Sequence, residues 1–286
     1  MELLNESGYI NLLKDVLYNG EKMQTRNGVT YSKFASLLRF NTNNGDTFPL
    51  LTSKRVFFRG IVEELLWFLR GSTNSKELEE KGINIWKGNS SRDFLDSVGL
   101  FDNEEGDLGL IYGYQWRKFN GQTDQLKYLI KELEGNSRRA LISAWNPSQL
   151  HLQALPPCHI IYNFYKSNDN ILNCLMYMRS SDLFLGLPFN IASTALLLTI
   201  IAKIMGFKTG DICITICDCH IYEEHIEQTK EQINNQCYPF PQLFINKEID
   251  INISIDEKIK WIENLSFNDF ILNNYISNKS IKGIMK

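Results

Sequence analysis

Residues 171–218 decide the predicted fold and read ILNCLMYMRSSDLFLGLPFNIASTALLLTIIAKIMGFKTGDICITICD. Ile171–Met178 and Ile212–Asp218 have the apolar and β-branched composition of strands. Between them, Ile191–Met205 is apolar on nearly every face, which predicts a buried helix that begins after Pro188. This stretch therefore predicts two strands joined by a core helix.

Helices and strands alternate irregularly along the rest of the chain. The other predicted helices are Ser7–Asn19, Ile61–Arg70, Asp124–Glu134 and Tyr222–Asn234, and the other predicted strands are Thr30–Phe40, Ala140–Trp145 and Ile160–Tyr165. Residues 88–107 are polar and contain glycine, so we expect a surface excursion there. No linker or repeat interrupts the sequence. We therefore expect one α+β domain over residues 1–286, with a mixed sheet flanked by helices.

The composition is that of an ordinary globular protein of 286 residues, 43% of them hydrophobic and 22% charged. The net charge of -3 provides no bulk positive field for nucleic acid or anionic lipid. The first residues lack a basic segment followed by an apolar run, so we expect no secretory signal. Ile191–Met205 is shorter than the roughly 20 residues that span a bilayer and contains Lys203, so we expect no membrane span. The six cysteines are then expected to stay reduced in a cytoplasmic protein.

A cysteine preceded by two prolines is the first candidate for chemistry. Pro156 and Pro157 restrict the backbone before Cys158, and His159 follows. A cysteine acts as a nucleophile through its thiolate, which neighbouring cations stabilise. The same tetrapeptide also fits a buried structural cysteine at the start of a strand, and these residues alone leave both interpretations open.

Polar residues mixed with apolar ones follow the strand Ile171–Met178. Arg179 and Ser180 suit an anion. Asp182 and Asn190 offer fixed acceptors and donors that can read a planar heterocycle. The Phe and Leu side chains between them suggest the wall of a pocket.

Three further features each fit two interpretations. Arg138 and Arg139 lie at a predicted turn, where paired arginines are usually solvated but can also clamp a phosphate. Glu64 lies in an apolar helix, as either a paired structural carboxylate or a general acid–base with a raised pKa. Trp86 and Tyr112 offer aromatic surface for stacking a flat ligand, although core packing is the commoner role of aromatic residues.

Metal-ligating residue types cluster around the last predicted strand: Cys213, Cys217, Cys219 and His220. Alternate positions of a strand share one face, but they are spread too far along it for four ligands to converge tetrahedrally. We therefore expect no metal. His220 and Tyr222 then form an alternating pair at a strand end that can hydrogen-bond a sugar hydroxyl.

Eight segments together resemble thymidylate synthases. They are RNGVT (26–30), FPLLTSKR (48–55), RGIVEELLWFLRG (59–71), GDLGLIYGYQWR (106–117), SRRALISAWNP (137–147), LPPCH (155–159), RSSDLFLGLPFNIAS (179–193) and DCHIY (218–222). They occur in the family's order and cover most of residues 10–240. Residues 91–109 resemble the longer loop of eukaryotic-type members. No reductase domain precedes the match, so we expect a monofunctional chain.

This resemblance implies the methylation of dUMP to dTMP, with 5,10-methylenetetrahydrofolate as carbon donor and reductant and dihydrofolate as second product. It implies that Cys158 adds to C6 of the pyrimidine and that Arg179 lowers the pKa of the thiol. Glu64, with Tyr112 and ordered water, would move protons at O4 and C5. Asn190 would read the uracil edge. The chemistry implied needs no metal.

The resemblance also implies two sets of binding residues. The substrate-binding residues would be Arg26, Arg138, Arg139, His159, Arg179, Ser180, Asp182, Asn190, His220 and Tyr222. The folate-binding residues would be Ile85, Trp86, Leu155, Asp182, Leu185, Gly186 and Phe189. The family forms homodimers through one face of its sheet, which would bring Arg138 and Arg139 to the site of the other subunit. Weak RNA binding is implied by family analogy alone.

Four features depart from the family pattern. The Arg26 turn is shorter than usual, which would alter the phosphate grip. Met178 stands in place of a glutamine, which removes a polar contact. Ile216 and Cys217 replace a small, glycine-containing pair and would crowd the nucleotide. The C-terminal segment YISNKSIKGIMK lacks the usual proline and ends in Lys286, so we expect weaker closure over the folate.

Three other functions stay open beside methylation. A hydroxymethyltransferase would use the same thiol and carbon donor, with water intercepting the methylene intermediate. A non-catalytic nucleotide-binding or RNA-binding protein could keep the fold, although the retained Cys158 and Glu64 argue against it. A zinc-binding interaction module would rest on the cysteine cluster alone. Asn190 favours uracil over cytosine as the base.

Overall fold

A mixed sheet is the largest element of the computed structural model, which describes residues 3–284 and within them seven strands of this sheet. Its strands are β1 (Leu3–Leu4), β2 (Glu21–Thr25), β3 (Gly28–Asn41), β4 (Leu141–Ser143), β5 (His159–Lys166), β6 (Ile171–Asp182) and β7 (Lys208–Tyr222). The order across the sheet is β1-β3-β7-β6-β5-β4, with β2 paired to β3. Strands β6 and β7 run parallel, whereas β7 pairs antiparallel with β3. Strands β8 (Gln242–Ile245) and β9 (Phe270–Asn273) form a separate antiparallel pair.

Helices flank this sheet, and the predicted α+β class is confirmed. They are α1 (Asn5–Asn19), α2 (Phe58–Leu69), α3 (Lys76–Glu79), α4 (Arg92–Ser97), α5 (Tyr112–Lys118), α6 (Gln125–Glu134), α7 (Gly186–Met205), α8 (Ile226–Asn234) and α9 (Ile255–Glu263). Helix α1 packs against β3, and α7 packs against β6 and β7. The extent of the domain over residues 1–286 stays a prediction.

Helix α7 forms the centre of the core, with 15 of its 20 residues buried. It begins at Gly186, before Pro188 and not after it as predicted. A proline is tolerated in the first turn because an N–H there has no intrahelical partner to lose. The helix ends at Gly206, whose φ of 68° makes it a left-handed cap.

The prediction that the apolar segment is too short to span a membrane is wrong, because α7 is long and apolar enough to cross one by length and composition alone. However, 78% of its most apolar window is buried inside the fold. The burial of α7, and not its length, therefore identifies it as the core helix that the sequence predicts.

Several predicted elements are longer or shorter than expected. Helix α1 begins two residues before Ser7, and α2 begins three residues before Ile61. Helix α8 begins only at Ile226, because Glu223–His225 forms a 3₁₀ turn first. Strands β6 and β7 extend beyond their predicted ends because each pairs with a long neighbour. Helix α6 matches its prediction, and the Asp124 side chain accepts hydrogen bonds at its N-terminus.

Residues 88–107 lie largely at the surface, as their polarity predicts, but two apolar side chains anchor them. Leu95 is fully buried and Leu100 nearly so. Ser91 caps α4 by accepting a hydrogen bond from the Phe94 amide, and Arg92 donates to the backbone oxygen of Leu100. A few apolar anchors therefore hold this segment against the core despite its polar composition.

One face of the sheet remains exposed and apolar. Phe34 is 84% exposed and Leu37 49% exposed on β3, and Tyr165 and Leu175 are exposed on β5 and β6. Ala35 has a φ of 55°, which kinks β3 between Phe34 and Leu37. An exposed apolar patch of this kind is typical of interaction surfaces.

Candidate active site

Cys158 lies immediately before β5, and neighbouring elements hold its backbone from both sides. Its N–H donates to the hydroxyl oxygen of Tyr112 at 2.8 Å, and its carbonyl accepts from the N–H of Arg179 at 2.9 Å. Tyr112 opens α5, and Arg179 lies near the end of β6. The candidate nucleophile is therefore held by both a helix and a strand.

The guanidinium of Arg179 lies beside the thiol. Its Nη2 atom is 3.6 Å from the Cys158 sulfur, and the group also donates to the carbonyls of Pro156 and Pro157 at 2.9 and 2.8 Å. Burial raises the pKa of the Cys158 thiol, and the charge of Arg179 lowers it only in part. The predicted lowering effect of Arg179 on the pKa of the thiol is right in direction, but burial has the larger effect, so the pKa is raised overall.

An aromatic cluster lies beneath the cysteine. The rings of Tyr112 and His159 stack at 4.1 Å between centroids, and the Nδ1 atom of His159 is 2.9 Å from the hydroxyl of Tyr162. Burial lowers the pKa of His159 to about 3, so its ring is neutral at pH 7. Because the ring is occupied by these two neighbours, its role in binding substrate stays a prediction.

Glu64 lies on α2 and receives a hydrogen bond from the Nε1 atom of Trp86 at 2.8 Å. Burial raises the pKa of Glu64 to about 7, against the lowering effect of this hydrogen bond. Its neighbour Glu63 instead pairs with Lys81 at 2.7 Å. Glu64 is therefore the carboxyl that can carry or release a proton near neutral pH.

Polar side chains from β6 and β7 meet next to Arg179. Ser180 donates to Asp218 at 2.8 Å, and the Nδ1 atom of His220 is 3.2 Å from the same carboxylate. Burial acts to raise the pKa of Asp218, but hydrogen bonds from its neighbours outweigh burial and lower it. With Tyr222 and Arg26, these residues line a cavity of about 160 Å³. The cavity can hold the hydroxyl and anionic groups of a small ligand.

The segment between β6 and α7 forms another wall. Asp182 accepts hydrogen bonds from the N–H groups of Phe184 and Leu185 at 2.9 and 3.2 Å, which fixes the turn. Leu185, Gly186, Phe189 and Asn190 follow at the start of α7, all partly exposed. This wall therefore presents partly exposed apolar side chains and one amide.

The sequence profile described as Thymidylate synthase matches residues 7–286. The chain belongs to the thymidylate synthase family. It is 44% identical to "Thymidylate synthase" of Homo sapiens over an alignment of 292 positions that covers 97% of this chain and 89% of the human protein.

The plant relatives of this chain are longer proteins. It is 48% identical to a "Putative bifunctional dihydrofolate reductase-thymidylate synthase" of Oryza sativa subsp. japonica. That alignment, of 272 positions, covers 89% of this chain and 54% of the relative. It is also 48% identical to "Bifunctional dihydrofolate reductase-thymidylate synthase 2" of Arabidopsis thaliana over 87% of this chain and 46% of that protein. The chain thus spans about half the length of these relatives, and its monofunctional character stays a prediction.

The fold does not bring every predicted site residue of this thymidylate synthase family member together. Arg138 and Arg139 are exposed beside β4, at one edge of the sheet, whereas Arg26 lies in the β2–β3 turn near the other. Ile85 and Leu155 are partly buried in separate loops. Trp86 is largely buried against Phe68 and Tyr112, so little of its ring is free to stack a ligand.

The departures from the family pattern lie mostly outside the polar cavity. Met178 and Ile216 are buried in the core, and Cys217 is not among the described residues that line the cavity. The expectation that Ile216 and Cys217 crowd the nucleotide stays a prediction. Lys286 lies outside the described residues, and the effect of the tail stays a prediction.

Three residues near the site were not singled out from the sequence. Asp218 organises Ser180 and His220, and its alternate spacing with His220 on β7 was an available signal. Lys54 lies over the ring of Phe184, and burial lowers its pKa to about 7. His225 contacts the backbone oxygen of Ile284 at 3.0 Å. Such long-range contacts have no local sequence pattern.

The cysteine cluster does not converge. Cys213 and Cys217 are half-buried, while Cys219 is buried on the opposite side of β7. Among residues 3–284 there is no group of three His, Cys, Asp or Glu side chains close enough to hold a metal ion.

Proposed function

We propose that this chain is a thymidylate synthase that converts dUMP to dTMP with 5,10-methylenetetrahydrofolate and releases dihydrofolate. The observation that carries this proposal is the Cys158 sulfur 3.6 Å from the Arg179 guanidinium. The next residue, Ser180, belongs to the polar cavity, and Tyr112 fixes the Cys158 amide. A nucleophile beside a cation and a polar cavity suits an attack on an anionic nucleotide.

The first chemical step is the addition of the Cys158 thiolate to C6 of dUMP. The new S–C bond uses the sulfur electron pair, and the electrons of the C5–C6 bond move toward O4. Arg179 stabilises the thiolate, while burial makes the thiol a weaker acid. We therefore expect proton loss from Cys158 to accompany binding of the nucleotide and not to precede it.

Glu64 moves protons in the proposed reaction. With a pKa near 7, it is present in both protonation states at physiological pH. Tyr112 keeps its proton, because burial raises its pKa well above the usual value. Glu64 thus protonates O4 as C6 is attacked and assists loss of the C5 proton later, through ordered water.

The chain's residues fit the folate as a flat ring system that carries N–H donors. The folate supplies a one-carbon unit and a hydride when bound. Leu155, Leu185 and Phe189 leave apolar surface partly exposed, and Asp182 keeps carboxylate acceptor capacity beyond its two turn hydrogen bonds. These groups would hold the ring and exclude water from the reacting carbon.

The nucleotide is held in our proposal by Arg26, Ser180, His220, Tyr222 and Asn190. The first four line the cavity of about 160 Å³. Arg26 and Ser180 suit the phosphate, His220 and Tyr222 the ribose, and Asn190 the uracil edge. We place the protein in the cytoplasm.

We also propose a homodimer through the exposed sheet face that includes Phe34 and Leu37. Arg138 and Arg139, which lie away from the cavity of their own chain, would then reach the site of the other subunit. Phe34→Asp should give monomers in sedimentation velocity and abolish activity, because a buried charge at an apolar interface is costly. Phe101→Asp is a matched control, since Phe101 is 70% exposed in the 88–107 segment. Dimers that survive Phe34→Asp would contradict this interface.

Product analysis by mass spectrometry tests the proposed reaction. We expect dUMP and methylenetetrahydrofolate to give dTMP and dihydrofolate, and Cys158→Ser to give neither. Cys237→Ser should keep full activity, because Cys237 is an exposed thiol elsewhere. A hydroxymethyl product with tetrahydrofolate would instead indicate a hydroxymethyltransferase. Bound dUMP without any product would indicate a nucleotide-binding protein.

A further inference from the structure

The last described residues of the tail lie back on the core of the protein. Further upstream, the Asn278 N–H donates to the Thr52 carbonyl at 2.9 Å. Residues 280–284 make one hydrogen bond to the rest of the described chain, between the Nε2 atom of His225 and the Ile284 carbonyl at 3.0 Å. A single hydrogen bond therefore fixes the described end of the tail.

The tail contacts this part of the core through its main chain. Ile284 is 70% exposed, so its side chain buries little apolar surface. A Cβ on Gly283 would lie 2.9–3.0 Å from side-chain atoms of Phe184, Leu185 and His225. The backbone of the tail therefore lies directly against the wall that leads into α7.

The side chain of His225 is itself firmly held. It is only 1% exposed, and it closes the 3₁₀ turn that joins β7 to α8. The centroid of its ring lies 5.2 Å from that of Phe184 and 6.0 Å from that of Tyr222. A donor that is fixed in this way loses little conformational entropy when it binds its partner.

The ring of His225 makes its one described hydrogen bond with the tail. Because the Ile284 carbonyl can only accept, the Nε2 atom of the ring carries the proton and donates it. The other ring nitrogen, Nδ1, is buried and has no partner among the described residues. Undocking of the tail would leave both nitrogens without a protein partner, which disfavours the undocked state because buried polar groups are nearly always paired.

We propose that His225 is a positioning residue, which holds the end of the tail on the Phe184–Leu185 wall and completes this wall before folate binds. The groups that dock the tail all belong to this chain, so docking does not require a ligand. The consequence for folate rests on the proposed function, since Leu185 is one of the proposed folate-binding residues. The docking itself does not rest on it.

Trimming of the full chain by carboxypeptidase Y, followed by intact mass without ligands, tests the docking. His225→Gln places an amide N–H near the position of Nε2, whereas His225→Asn is too short to reach the tail. We expect residues to be removed past Ile284 about fivefold faster in His225→Asn than in the native protein, because cleavage follows the undocked population and one ordinary hydrogen bond is lost. His225→Gln should be trimmed at the native rate.

Two further variants complete this experiment. His225→Leu, which keeps an apolar contact with Phe184, should behave like His225→Asn and replaces it if the buried amide prevents folding. His151→Asn, at an exposed histidine in the Pro147–Leu152 segment, is the control and should not change the rate. A native rate in both His225→Asn and His225→Leu would overturn the proposal. Equal acceleration in His225→Asn and His225→Gln would also overturn it, because ring packing and not the hydrogen bond would then hold the tail.

Turnover connects the docking to folate. The KM for methylenetetrahydrofolate should be about fivefold higher in His225→Asn than in His225→Gln, with equal KM values for dUMP. Any disturbance of Tyr222 by loss of the ring is common to both variants, so it does not affect this comparison. Faster trimming of His225→Asn with equal folate KM values would overturn the positioning role. A protein that makes no dTMP at all would contradict the proposed function instead, and the trimming rates would still decide the docking.

Discussion

The inner and outer sides of the proposed active site differ in how firmly their residues are held. On the inner side, Arg179 donates to the Pro156 and Pro157 carbonyls, and Tyr112 is bonded to the Cys158 amide. On the outer side, Arg26 is exposed, and its Nε atom donates to the Asn27 side chain of the same turn at 3.2 Å. The candidate nucleophile is therefore positioned by the core before substrate binds, and we expect Arg26 to be ordered only when substrate binds.

Arg179→Ala should have the largest effect of the substitutions on either side. It removes the positive charge beside the thiol and also the hydrogen bonds from Arg179 to two prolyl carbonyls. We therefore expect kcat/KM to fall about a thousandfold. The pKa of Cys158, read from the pH dependence of its alkylation in a Cys237→Ser background, should rise further, because burial then acts without the opposing charge. An unchanged alkylation profile would show that Arg179 does not act on the thiol.

Glu64→Gln should reduce kcat about a hundredfold, as expected for loss of a general acid–base. The substitution should also change how the free energy of unfolding depends on pH. The folded-state pKa of about 7 lies above the ordinary value of 4.5, so the folded state holds the Glu64 proton more tightly. The free energy of unfolding of the native protein should therefore fall by roughly 3 kcal/mol as pH rises from about 4.5 to 7. The Glu64→Gln variant should not show this fall.

Urea denaturation of both proteins at pH 5 and pH 7.5 measures this difference. Glu63→Gln is the matched control, because Glu63 pairs with Lys81 and has no contact with Trp86 in the described network. Parallel pH dependence in the native protein and Glu64→Gln would mean that Glu64 does not titrate near neutrality.

Arg26→Ala tests the outer side. Because the side chain is exposed and belongs to a turn, we expect KM for dUMP to rise about tenfold, with Tm unchanged, through loss of one charge-assisted contact. Lys22→Ala, on the neighbouring strand β2, removes an exposed cation that pairs with Glu223 and should leave KM unchanged. A large drop in kcat on Arg26→Ala would place Arg26 with the preorganised inner groups instead.

Gly283→Ala should have the smallest effect. The described part of the tail docks at the rim, where the Arg55 N–H donates to the Lys279 carbonyl. A Cβ on Gly283 would lie 2.9–3.0 Å from side-chain atoms of Phe184, Leu185 and His225, which must shift slightly. We expect a KM for methylenetetrahydrofolate a few-fold higher and an unchanged KM for dUMP. Equal changes in both KM values would contradict a role of the tail at the folate side.

The local sequence pattern predicted helices well where capping residues and hydrophobic periodicity were strong. Helix α6, with Asp124 before it, and the end of α7 at Gly206 are confirmed. Prediction failed where distant contacts decide. Leu95 and Leu100 anchor a polar segment against the core through distant contacts. Helix α9 was missed for another reason, because its Ser254–Glu257 capping box is a local signal that no prediction used.

The sequence by itself determined the family, the α+β class and the candidate nucleophile, because ordered motifs and hydrophobic periodicity are local properties of the chain. Only the tertiary structure separated Glu64 from Glu63, since adjacent acids differ in what distant Trp86 and Lys81 bring to them. The tertiary structure also decided the direction in which the pKa of Cys158 is shifted. The balance between burial and the charge of Arg179 depends on the packing of residues far apart in sequence, which no local pattern contains.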